Sequence, residues 1–187
     1  MTNIRTSDTD MKANMTPGTT SSGMLTGTFR DPASAETAYS DLVRRGYSDK
    51  DINVMMSPET REKYFSHGKT EIGNKAAEGG ATGAAIGGVT GVIVGLLAAA
   101  GTLALPGLGI VLAGPLVAAL AGLGAGGAAG GLVGALVGAG MTEERARLYE
   151  HDIKNGGIVL GTKTRSAKDA EDLEKEWKKN RAENVYY

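Results

Sequence analysis

The 187-residue chain carries 20 Lys and Arg against 21 Asp and Glu, and its few aromatics are not interleaved with a basic stripe, so nothing points to a phosphate-binding surface for nucleic acid. It has no cysteine, which excludes disulfides and thiolate metal sites. The balanced total conceals two materials: no charged residue occurs between Glu78 and Glu143, and every charge lies at or outside those positions.

Residues 1–23 are rich in Thr, Ser, Asn and Asp and lack the apolar core of a secretory signal, so they read as a disordered tail. With no export signal, the charged parts are expected in the cytoplasm. Met24 to Phe29 has the length and apolar content of a strand. Asp31-Pro32 then supplies a helix N-cap followed by proline at the first helical position. Ala35, Ala38, Tyr39 and Leu42 form one apolar stripe at helical spacing, which ends at Gly46. Ile52, Val54 and Met56 alternate with Asn53 and Met55 as a half-buried strand does. Ser57-Pro58 repeats the cap-and-proline signal and opens a short helix through Phe65. Residues 24–65 are thus the first half of an α+β domain, and the polar, glycine-containing residues 66–78 are a linker.

Residues 79–140 hold 20 of the chain's 29 glycines. Gly79, Gly83, Gly87, Gly91 and Gly95 recur every four residues, and so do Gly122, Gly126, Gly130, Gly134 and Gly138. In a helix each such glycine lies one turn above the last, with a drift of about 40°. Glycine inside a helix costs roughly 1 kcal/mol relative to alanine. Close helix–helix contact, as in small-xxx-small pairs, is what offsets it. These ten glycines are the predicted helix-packing residues. Ala81 to Leu105 and Leu116 to Gly140 are each 25 residues long. As helices they would extend about 37 Å, against about 30 Å of bilayer hydrocarbon. Pro106, Gly107, Gly114 and Pro115 break the block into a hairpin, which returns both flanks, and every Lys and Arg, to one side.

Thr142, with Glu143 and Glu144 in the first turn, opens a further helix whose buried face is Ala146, Tyr149 and Ile153. Asn155-Gly156-Gly157 stops it, Ile158 to Thr162 reads as a strand, and Ser166 to Asp169 forms a capping box for a last helix lined by Ala170, Leu173 and Trp177. Residues 141–179 are the second half of the domain and 180–187 a C-terminal tail. Neither half can bury a core alone. The fold expected is therefore α+β: a split ferredoxin-like domain, β-α-β then α-β-α, interrupted by an apolar glycine-zipper helical hairpin. Three of its four strands are recognisable, with the fourth absent or supplied by the linker or another subunit.

Chemical motifs are sparse. His67 and His151 have no second ligand at a familiar spacing. Gly122, Gly124 and Gly127 satisfy G-x-G-x-x-G, but no β-α-β unit with an acidic strand end surrounds them. No phosphate loop or nucleophile elbow is present, and no paired carboxylates stand near a histidine in a concave apolar setting. No catalytic, metal or cofactor residues are assigned, and neither nucleic acid nor a small-molecule substrate is inferred.

From Met24 to about Trp177 the chain resembles the bacterial general stress proteins, the heat- or low-temperature-induced family with no assigned enzymatic activity. The residues that carry the likeness are Phe29-Arg30-Asp31, Arg44-Arg45-Gly46-Tyr47, Asp51-Ile52-Asn53-Val54, Leu105-Pro106-Gly107-Leu108-Gly109, Ala113-Gly114-Pro115-Leu116, and Thr142-Glu143-Glu144 leading to Gly156-Gly157. Ile110 stands where the family often has a second proline, a departure that bears on the shape of the loop. The resemblance implies a stress connection and a non-enzymatic role. The combined expectation is a stress-associated protein of the inner, cytoplasmic membrane that homo-oligomerises through a transmembrane hairpin in the lipid bilayer. The alternative is a cytoplasmic, soluble self-assembling filament or shell with the hairpin buried between subunits.

Overall fold

The first charged segment folds where its start and stop signals place it. The structure, a computed structural model, describes residues 24–65, 91–99, 103–105, 108–122 and 130–187. Strand β1 (Met24–Phe29) leads into helix α1 (Pro32–Arg44), whose N-cap Asp31 accepts a hydrogen bond from the Ser34 amide. Gly46, at φ 82°, closes the helix as the Gly46 and Tyr47 amides bond back to the Val43 and Leu42 carbonyls. Strand β2 (Ile52–Met56) and helix α2 (Pro58–Phe65) follow, with the Ser57 hydroxyl accepting from the Thr60 amide.

The apolar block departs from the expected pair of long helices. Helix α3 (Gly91–Ala99) has 9 residues, and the chain then forms two strands, β3 (Leu103–Leu105) and β4 (Ile110–Ala113). Helices α4 (Leu116–Gly122) and α5 (Gly131–Gly138) come next. At 1.5 Å per residue α3 covers about 13 Å, less than half of a bilayer core. Among the described residues no helix is long and apolar enough to cross a membrane. This overturns the transmembrane hairpin and the membrane role built on it. The first helix cannot reach Leu105 because Leu103 to Leu105 pair with Leu112, Val111 and Ile110. The second cannot run unbroken from Leu116 to Gly140 because Gly131, at φ 65°, lies outside right-handed helical space.

Beyond the block, helix α6 (Glu143–Lys154) starts at N-cap Thr142, and Gly156 at φ 82° ends it. Strand β5 (Ile158–Lys163) leads to helix α7 (Ala167–Lys179), capped by the Ser166 hydroxyl. Residues 180–187 are not simply a tail: Glu183–Tyr186 form strand β6, paired with β1.

The fold is α+β. Its sheet runs β3-β4-β2-β5-β1-β6 with each neighbouring pair antiparallel. Phe29 lies opposite Ile158, Ile52 opposite Thr162, and Val54 opposite Ala113. Helices cover both faces. Leu25, Phe29, Val54 and Met56 pack with α1, α3 and α7 on one side. Met55, Leu112 and Val159 pack with α4, α5 and α6 on the other. β2 is therefore buried along its whole length, and not on one face only as its alternation implied. The layering also removes the zipper. α3 packs on α1 and α5 on α6, so the sheet separates the described parts of the two glycine runs.

Gly114 shows what the expected link does instead. Its φ is 101°, and a Cβ there would stand 2.1 Å from the Ile52 carbonyl oxygen. The glycine lets the β4–α4 turn lie directly on the β2 backbone. The next turn is fixed by Asn53 of β2, whose Oδ1 accepts from the Leu116 amide at 2.7 Å.

Candidate functional site

The surface with the least evident structural role is the outer side of α5. Gly131 turns the chain into this helix, and Gly140, at φ 97°, turns it out as the Met141 amide bonds to the Leu136 carbonyl. Leu132, Ala135 and Leu136 point inward and are buried against Tyr149, Ala146 and Ile153 of α6. The opposite stripe carries no charge. Gly134 and Val133 are half-buried, Gly138 is exposed, and Val137 is 41% exposed. A helix whose second face is also apolar leaves hydrophobic surface in contact with water, a feature that marks association sites.

Beside this stripe lies an open groove of about 400 Å³ lined by Gly130, Val133, Gly134, Val137, Glu143, Arg147 and Glu150. Its floor is glycine backbone and valine. Its wall is the polar side of α6, where Arg147 bonds Glu143 at 2.6 Å and Lys154 bonds Glu150 at 3.0 Å. These exposed pairs, one turn apart on the helix, contribute little stability. They do leave the groove wall largely neutralised, so its distinctive property is shape and apolarity.

A second cluster ties β1, α6 and β6 together. Asp152 is buried and accepts from Thr28 Oγ1 at 2.7 Å, Arg30 at 2.6 Å and Asn184 Nδ2 at 2.8 Å. Arg30 also bonds Glu183 at 2.9 Å, and this bond, against some burial, raises its pKa. The Tyr149 hydroxyl donates to Thr26 Oγ1 at 2.5 Å or to the Asn184 carbonyl at 3.2 Å. Burial pushes this phenol up to about 12. His151 is largely exposed, with its Nδ1 3.9 Å from an Asp152 oxygen that Arg30 already occupies. Three donors, from β1, its end and β6, converge on this carboxylate and tie the three elements together.

Of the predicted packing glycines, Gly79, Gly83, Gly87 and Gly126 lie outside the described residues, as do Pro106, Gly107, His67, Gly124 and Gly127. Gly91 and Gly95 fall in α3, Gly122 ends α4, and Gly130, Gly134 and Gly138 belong to α5 and its entry. The structure brings Gly130 and Gly134 together beside α6, whereas a Cβ added at Gly95 would meet nothing within 4 Å. Sequence reasoning missed Asp152, Thr28 and Asn53. The signal for Asp152 was available: it lies three residues after Tyr149, on the buried stripe of α6, where a carboxylate requires partners.

No protein-family model, no curated protein and no solved structure matches the chain.

Proposed function

We propose that this chain is a non-enzymatic self-assembling protein whose copies associate through the outer face of α5. The observation that carries the reading is the uncharged stripe of Gly134, Val137 and Gly138, held on a helix whose other side is already committed to the core. Small residues there allow a second backbone to approach closely, and the valines supply the apolar area that association removes from water. The assembly is read as cytoplasmic, and the resemblance to the general stress proteins supplies a stress setting for it. Neither a cofactor nor a small-molecule substrate enters the reading.

Within this reading the strands β2, β5, β1 and β6, in that sheet order, are taken with α1 and α7 as a ferredoxin-like unit of two interleaved β-α-β pieces. The apolar block is then an insertion that extends the sheet by β3 and β4 and lays α4 and α5 over its second face.

Light scattering on protein purified without detergent tests the proposal. Wild type is expected to give a defined assembly, and Val137→Glu, a change at an exposed position, single copies with an unchanged circular dichroism spectrum. Single copies of wild type at every concentration, or an assembly indifferent to Val137→Glu, would overturn it.

A further inference from the structure

We infer that β6 is an exchangeable strand, which in a second copy of this chain can take the same place on β1 and so form a strand-swapped dimer. The inference is independent of the α5 face. It starts at the hinge. Residues 180–182 join α7 to β6, and Arg181 there adopts φ 62°, with its amide bonded to the Lys178 carbonyl and the Ala182 amide to the Trp177 carbonyl. The helix ends at residues 46, 140 and 156 use glycine for the same left-handed turn. Of these four ends, only that of α7 makes a side chain bear it, and an L-residue is strained in that region. Short hinges under strain invite exchange, because an opened hinge relieves them.

The strand beyond the hinge is lightly held by its backbone. Asn184, at φ 51°, interrupts it, and its register with β1 shifts between the pairs Thr26–Tyr186 and Thr28–Glu183. Glu183 and Tyr186 are exposed, and Asn184 and Val185 half-buried. Specificity comes from side chains instead. Arg30 holds Glu183, Asp152 holds Asn184, Tyr149 lies edge-on to Tyr186 at 6.5 Å, and Arg145 covers the Tyr186 ring at 5.1 Å. Each of these anchors comes from β1, its end, or α6. α7, the element to which β6 is tethered, adds apolar packing, with Ala182 and Val185 against the cluster that holds Trp177, and the α7 of a second copy offers the same surface. The whole set can therefore re-form between two copies while the hinge opens. The swapped form keeps the contacts and sheds the strain at Arg181, against the entropy of association, so its population rises with concentration.

The absence of native cysteine makes a direct trap possible. Thr28→Cys with Glu183→Cys places two thiols at register partners of β1 and β6. The double variant is incubated dilute or concentrated and oxidised with copper phenanthroline. Concentrated protein is expected to give a covalent dimer on a non-reducing gel, and dilute protein a bridge within one chain. Thr26→Cys with Tyr186→Cys, the other register pair, repeats the trap without touching the Thr28–Asp152 bond. Arg181→Gly removes the hinge strain and should move the swapped-to-closed ratio roughly tenfold toward single chains. Bridges within one chain at every concentration would overturn the inference, as would a ratio unmoved by Arg181→Gly. Within-chain bridges inside an assembly seen by light scattering would sink the exchange and leave the α5 contact standing. Covalent dimers that persist in Val137→Glu would support the exchange without the α5 contact.

Discussion

Helices α1, α6 and α7 begin at caps of their own, Asp31, Thr142 and Ser166, each accepting from the amide three residues on. Helices α3 and α4, built from the apolar block, draw on acceptors elsewhere in the chain. Their first-turn amides are met from a distance: Ile93 bonds the buried Glu36 carboxylate of α1 at 3.1 Å, and Leu116 bonds Asn53 of β2 at 2.7 Å. A helix apolar on every side has no pattern that selects which side faces the core. Here the selection comes from buried polar side chains in the charged part of the chain, which fix where each of these two helices is seated. Orphan amides and buried acceptors satisfy one another across the joint.

That contrast breaks first at Gly114. A Cβ there would lie 2.1 Å from the Ile52 oxygen and 2.9 Å from the Asn53 Cα, and the backbone is left-handed. Neither neighbour is a flexible side chain. Gly114→Ala is expected to destabilise by about 3 kcal/mol or more, read as a drop in the midpoint of urea unfolding. A loss of less than about 1 kcal/mol would mean that α4 is not seated on β2 in this way.

The two kinds of cap are distinguished by truncation. Asn53→Ala leaves the buried Leu116 amide without its acceptor, and about 2 kcal/mol of stability should go with it. Ser166→Ala removes a cap at the surface, where water replaces it, and should cost about 1 kcal/mol or less. Equal losses at the two sites, measured by denaturant unfolding, would show that the borrowed cap carries no extra weight.

The same contrast explains what could be read from residues alone. Asp31-Pro32, Gly46, Ser57-Pro58, Thr142, Asn155-Gly156 and Ser166 are local signals, and the elements they bound stand where they point. The block offered only spacing. A four-residue glycine repeat is compatible with a long helix, but a glycine-rich block also supplies the turns at Gly114, Gly131 and Gly140 that divide one. Ile110 to Ala113 were expected only as part of the connection between two helices, and the edge of β2 makes them a strand through pairs that no local pattern encodes. The tail was misread for a related reason. β6 has little alternation of its own and is held by Arg30, Tyr149 and Asp152, which lie far away in the chain. The α5 face was legible as a run of small residues. Its exposed side was not, because exposure depends on α6 covering the other.

The smallest expected effect is the one that bears most directly on the glycine runs. Gly95 lies inside α3 with Ile93, Leu96 and Leu97 buried around it, yet Gly95 itself is exposed and a Cβ there would meet nothing within 4 Å. Its φ is not left-handed, so alanine fits without strain. Alanine also restricts the unfolded chain, so Gly95→Ala should stabilise by about 0.5 to 1 kcal/mol and raise Tm by roughly 2 °C. It should leave assembly size unchanged. Gly134 sits instead on the floor of the groove beside α6, on the face proposed to meet another copy. Two glycines from matching runs then have opposite expected roles: one is replaceable because the space beside it is open, the other belongs to the face proposed to meet a second copy. If Gly95→Ala lowered stability or altered assembly size, close packing would have to be restored to the first run as well.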